Sequence, residues 1–126
     1  MKKKILTLDD YQEAARRTAI YPYKNKNLVY TTMGLAGETG EFCNKVKKLM
    51  RSYGLESNSN TVFSLGSSEA EKLRNSLKGE LGGILWYVSA CATELGITLN
   101  QIGINNIDEL SARVKNDTIE GEGDER

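Results

Sequence analysis

Residues 34–48 read GLAGETGEFCNKVKK and residues 78–89 read KGELGGILWYVS, and these two stretches decide the fold. Each sets glutamate into an amphipathic helical pattern, in a chain without a single histidine. Glu38 and Glu41 are three residues apart, a spacing that puts both carboxylates on one face of a helix. Glu80 falls beside Leu73, Leu77, Ile84 and Tyr87 in helical projection, close to an apolar stripe where an unpaired charge is costly. A cation is therefore expected to meet it. With no imidazole on offer, and with Cys43 and Cys91 both on the apolar sides of their helices, the oxygen donor set favours Mg²⁺ or Mn²⁺ over zinc.

Taken alone, the Glu38–Glu41 pair reads as readily as a solvated face, with Glu41 bridging to Lys45 four residues on for a few tenths of a kcal/mol. Glu80 shifts the balance, because surface glutamates ordinarily lie opposite the apolar stripe of their helix.

Outward from these stretches the pattern stays helical. A helix from roughly Leu28 to Tyr53 gathers Leu28, Leu35, Phe42, Cys43, Val46, Leu49, Met50 and Tyr53 on one side and stops at Gly54. A third runs to Leu95, opened by a capping box of Ser68 and Glu71, stopped by Gly96, and striped by Leu73, Leu77, Leu81, Ile84, Val88, Cys91 and Leu95. Before them, Thr7 or Asp9 caps a short helix through about Ala19, and Lys24 to Asn27 form a polar connector. After them, Thr98 caps a helix through about Lys115 that is interrupted near Gly103 to Asn106, with Ile104, Ile107, Leu110 and Val114 inward. Residues 54–68, GLESNSNTVFSLGSS, have the composition of a long loop or a short hairpin, expected to be mobile. The predicted architecture is all-α: one domain over 1–126, a bundle of four to five helices.

Six glycines interrupt the two long helices: Gly34, Gly37 and Gly40 in one, Gly79, Gly82 and Gly83 in the other. Each costs about 0.5–1 kcal/mol relative to alanine, so close helix approach or room for a ligand is expected beside them.

The 17 basic residues balance the 17 acidic ones, which removes any overall field toward nucleic-acid polymers or anionic membranes. No run of residues approaches membrane-spanning length, and Asp9 and Asp10 interrupt the only apolar stretch near the N-terminus. The two cysteines read as buried free thiols of a reducing compartment, with a bridge between them left open, and the expected location is cytoplasmic. Trp86 and the tyrosines read as core and interface filler, with Tyr11 or Tyr23 the candidates for stacking on a base. The end of the chain, with Arg113, Lys115, Thr118, Gly121, Gly123, Asp124 and Arg126, reads either as a frayed terminus or as a segment that grips phosphate through backbone N–H groups and cations.

At these residues the chain resembles the MazG-like family of all-α nucleoside triphosphate pyrophosphohydrolases, of the small phage and bacterial type. GLAGETGEFCNKVKK is similar to that family's Glu-x-x-Glu block, and KGELGGILWYVS to its Glu-x-x-Asp block. NIDELSARVKNDTIEGEGDER, residues 106–126, is similar to its Gly-Ser-Gly-Asp-x-Arg ending. The resemblance covers about residues 28–53 and 76–126. It implies Mg²⁺-dependent hydrolysis of a nucleoside or deoxynucleoside triphosphate to monophosphate and pyrophosphate, Mn²⁺ being an alternative ion. Glu38, Glu41 and Glu80 become metal ligands and catalytic residues, and Lys45, Lys48, Arg113, Lys115 and Arg126 hold phosphates, with Asp124 beside them. The expected partners are the nucleotide and a second copy of the chain, as a homodimer or a dimer of dimers, with no nucleic-acid polymer and no membrane.

The chain departs from the pattern at Gly83, where the second block carries its aspartate. Glu94 lies eleven residues further along the same helix, about 16 Å away, and does not replace it. The rival reading is a catalytically weakened nucleotide-binding or regulatory module. Base preference would come from polar side chains among Asn25, Asn27, Asn44, Ser76 and Gln101.

Overall fold

The computed structural model describes residues 6–53 and 67–116, which form four α-helices and no strand. These are α1 (Leu8–Arg17), α2 (Leu28–Tyr53), α3 (Ser67–Glu94) and α4 (Leu99–Lys115). Residues 54–66 of the 54–68 loop, all of residues 117–126 and the lysines at 2 to 4 lie outside the described residues.

Local chemistry sets the helix ends. Thr7 caps α1 through a reciprocal box, its Oγ1 accepting from Asp10 N at 3.0 Å while its own N–H donates to Asp10 Oδ2 at 3.2 Å. Asn27 opens α2 by accepting the Tyr30 N–H at 3.0 Å. Gly96, at φ +71, ends α3 in a Schellman turn: Ile97 N–H reaches Ala92 O and Gly96 N–H reaches Thr93 O, both at 3.0 Å. Thr98 and Gln101 then start α4 with a second capping box. α3 begins at Ser67, which places Ser68 inside its first turn, so the expected Ser68–Glu71 box is not the cap.

α2 packs chiefly on α3, and α1 packs on α3 as well. α4 leaves α3 at 101° and packs mainly on α1. Its course corrects the expected break at Gly103 to Asn106, because the helix is continuous there. Gly103 instead marks a close approach: a Cβ on it would sit 3.2 Å from Leu8 Cδ1. Gln12 pins the same corner, donating to Thr93 Oγ1 and Ile97 O at 3.0 Å each and accepting the Leu99 N–H at 2.8 Å.

Small side chains fill the crossings: Ala15, Ala19, Ala90, Ala92, Thr31 and Ser89 are buried. Of the larger apolar residues Tyr21 and Leu99 are buried, but many others are left partly uncovered. The expected inner side of α4 is open, with Ile104 52%, Ile107 61% and Val114 64% exposed, because only its N-terminal part meets α1. Leu81 and Leu95 of the α3 stripe are exposed as well. Cys43 is exposed rather than buried, Cys91 is half-buried, and both are free thiols, so no bridge joins them.

Candidate metal centre

The site is built from the α2–α3 pair, and two glycines set its register. A Cβ on Gly34 would fall 2.5 Å from Tyr87 Cδ1 and closer still to Cε1 and Cζ; a Cβ on Gly83 would fall 2.8 Å from Glu38 Cδ and closer to Oε2. Each helix thus offers a glycine to a large side chain of the other. Further along, Lys45 Nζ donates to Ser76 Oγ at 3.0 Å. Residues 34, 38 and 45 therefore face 87, 83 and 76, the descending order of an antiparallel pair. In that register 41 falls opposite 80, and the Glu38, Glu41 and Glu80 carboxylates come together.

One oxygen from each of the three lies within 4.8 Å of the others, with Glu38 and Glu80 half-buried and Glu41 exposed. An ion bound at about 2.1 Å from each oxygen holds opposite ligands roughly 4.2 Å apart. Small side-chain rotations close that difference, so the donor set fits Mg²⁺ or Mn²⁺, both of which favour carboxylate oxygens. Lys45 is ion-paired with Glu80, where the lone bridge from Lys45 to Glu41 had been the alternative expectation. The chain's own ammonium group thus already sits at the acidic cluster. Beside it an open pocket of about 290 Å³ is lined by Lys45, Lys48, Leu49, Leu73, Ser76 and Leu77.

The aromatic residues form a wall next to the carboxylates. Tyr21 stacks on Tyr30 at 4.9 Å, and Trp86 meets both Tyr21 and Tyr87 edge-on. Burial pushes the Tyr87 phenol above its ordinary range, and the neighbouring Tyr30 hydroxyl and Glu38 carboxylate add to the effect. Tyr11 is half-buried and Tyr23 is 83% exposed on the α1–α2 connector.

Other candidates take different positions. Arg113 is ion-paired with Glu109 on α4, and Lys115 ends that helix, which packs mainly on α1 rather than on α2. Asp124 and Arg126 fall outside the described residues. Of the polar residues considered for base recognition, Asn27 and Gln101 serve as caps, Asn25 accepts from Arg16, and Ser76 holds Lys45. Asn44 is exposed.

Sequence reasoning missed the work of Glu94. Its side chain is 1% exposed, and it accepts from the Asn25 and Asn27 backbone N–H groups at 3.0 and 2.9 Å and from the Tyr21 hydroxyl, with Arg16 Nη2 at 3.5 Å. Burial alone would raise its pKa, but these bonds and the Arg16 charge outweigh it and hold the carboxyl below its ordinary range. Glu94 thereby fixes a connector that turns through positive φ at Tyr23 (56°) and Asn25 (80°). The available signal was a carboxylate two residues before a helix-ending glycine, on the same face as Ala90 and Cys91.

Fold and site together define an all-α protein with a three-carboxylate cluster and an adjacent lysine held between two antiparallel helices. In sequence the chain is similar to the Gene 37 protein of Mycobacterium phage L5, 38% identical over 124 residues that cover 94% of this chain and 98% of the relative. The chain belongs to the family of that phage protein. No family model matches the chain. No solved structure matches it.

Proposed function

We propose that this chain is a MazG-like nucleoside triphosphate pyrophosphohydrolase that converts a (deoxy)nucleoside triphosphate to the monophosphate and pyrophosphate. The supporting observation is the convergence of Glu38, Glu41 and Glu80 within 4.8 Å beside a pocket lined by Lys45 and Lys48. Glu38, Glu41 and Glu80 would hold Mg²⁺, with Mn²⁺ as the alternative ion. Bound there, the ion would supply charge neutralisation and Lewis acidity at the phosphates. Lys45 and Lys48 draw the polyphosphate into the pocket. A carboxylate oxygen left facing solvent orients the attacking water and takes its proton. The water oxygen bonds to the α-phosphorus as the bond to the α–β bridging oxygen breaks, and pyrophosphate leaves with the electron pair.

The proposed assembly is a homodimer or dimer of dimers, supported by the uncovered apolar side chains of α4 and α3. The proposed location is the cytoplasm, where nucleotide pools are.

Pyrophosphate release with each dNTP and Mg²⁺ tests the reading. Glu38→Gln, Glu41→Gln and Glu80→Gln should each lower kcat about 100-fold or more. No release from the unaltered chain with any nucleotide would reject it. Gly83 favours a second reading, a binding module without turnover. That reading expects a dNTP to raise Tm with no pyrophosphate formed, the gain reaching about 2.7 kcal/mol at 100 times Kd.

A further inference from the structure

We infer that Gly83 is the seat of Glu38: the missing side chain makes room for the Glu38 carboxylate against α3, and this seat turns the three carboxylates toward one point. The inference rests on reading the cluster as a divalent-cation centre. Its own basis is steric. The three atoms nearest a Cβ built on Gly83 all belong to Glu38: Oε2 is closest, Cδ lies at 2.8 Å and Cγ at 3.4 Å. Real Cβ atoms essentially never approach within 3.0 Å, so any side chain at 83 displaces the carboxylate. Gly79 and Gly82, which flank Glu80 on the same helix, give the contrast, since a Cβ on either meets nothing within 4 Å.

The direction of displacement follows from the neighbours. One turn back along α2, the Tyr87 ring fills the space over Gly34. A carboxylate pushed off Gly83 swings toward solvent, away from Glu80. A Cβ at 83 and the Glu38 carboxylate as it is seated here therefore claim the same volume. In this chain Gly83 is a positioning residue for a three-carboxylate centre, rather than a vacated fourth ligand.

Titration with Mn²⁺, following the electron paramagnetic resonance signal of the free ion, tests this without any turnover. The unaltered chain should take up Mn²⁺, and Gly83→Ala should bind it about 10-fold or more weakly, the scale on which groups that orient ligands act. Gly79→Ala should leave the affinity unchanged. Circular dichroism should show Gly83→Ala melting at the same temperature or higher, since alanine favours the helix; a purely structural glycine would give the opposite. Gly83→Asp should bind Mn²⁺ no more tightly than the unaltered chain. Tighter binding by Gly83→Asp, or unchanged binding by Gly83→Ala, overturns the proposal and leaves the centre standing. No uptake by the unaltered chain removes the centre and the proposal together.

Discussion

Lys45 has two partners across the helix pair, the Glu80 carboxylate and the Ser76 hydroxyl, and so supplies the acidic cluster with its own counter-charge. An incoming ion competes with that ammonium group for Glu80. Lys45→Met should therefore tighten Mn²⁺ binding in the absence of nucleotide, by a few-fold only, because a partly exposed pair is worth about 1 kcal/mol or less. The same change should raise KM for a dNTP, and calorimetric titrations with ion and nucleotide separately check both. Glu94 carries a larger consequence. Removing it leaves the Asn25 and Asn27 N–H groups and the Tyr21 hydroxyl without their acceptor, at a cost of about 1–3 kcal/mol, so Glu94→Ala should lower the urea midpoint by that equivalent. Its folded pKa lies below the ordinary value of 4.5, so its contribution is fully present above that value and is lost as pH falls through the depressed one. Urea unfolding at pH 7 and pH 4 should show that loss in the unaltered chain and a flatter dependence in Glu94→Gln. Glu80 was legible in the sequence because it intrudes on an apolar stripe. Glu94 was not, because its partners lie 67 to 78 residues earlier in the chain, on α1 and the connector after it.

Among the helices, the six glycines divide by what faces them. Gly34 and Gly83 receive Tyr87 and Glu38, whereas Gly37, Gly40, Gly79 and Gly82 meet open space. Gly34→Ala should destabilise despite its better helix propensity, by about 1–3 kcal/mol, because a rigid aromatic ring and helix backbone must part. Gly37→Ala should instead stabilise an isolated protomer by about 0.5–1 kcal/mol. Thermal unfolding of the two side by side checks the division, and a loss at Gly37 would mean that another helix packs there. The composition of the two long helices announced close approaches without saying which glycines make them. That depends on the α2–α3 register, which is set by contacts across the pair and leaves no periodic trace within either strip of sequence. Gly103 was misread for the same reason: a glycine at a helix crossing and a glycine at a helix break look alike until the crossing helix is in place.

Over the whole molecule, the uncovered apolar surface is the property that needs a partner. Ile104, Ile107 and Val114 are spaced three and seven residues apart on α4, as one face of a helix requires, yet all are mostly exposed. If two copies meet on this face, Ile104→Asp with Ile107→Asp should convert the assembly to monomers in sedimentation at micromolar protein, with the helical circular dichroism retained. Dissociation should also leave Mn²⁺ uptake intact, because Glu38, Glu41 and Glu80 converge within one chain. None of the described helices alone is long and apolar enough to cross a membrane; α3 and α4 reach that apolarity only together, across their 101° bend.

What this chain's sequence determined by itself is local: the start of α2, the cap at Thr98, the stop at Gly96, and the placing of Glu38 and Glu41 on one face; of the two caps it offered for α1, Thr7 or Asp9, the structure takes Thr7. These depend on interactions within a few residues, and spacing and residue type express them directly. The tertiary structure alone decided that Lys45 turns to Glu80, that Gly83 yields its space to Glu38, and that α4 leaves its stripe uncovered. Each of these is a matter of which side chains meet across helices, and that is settled by packing between segments far apart in the chain.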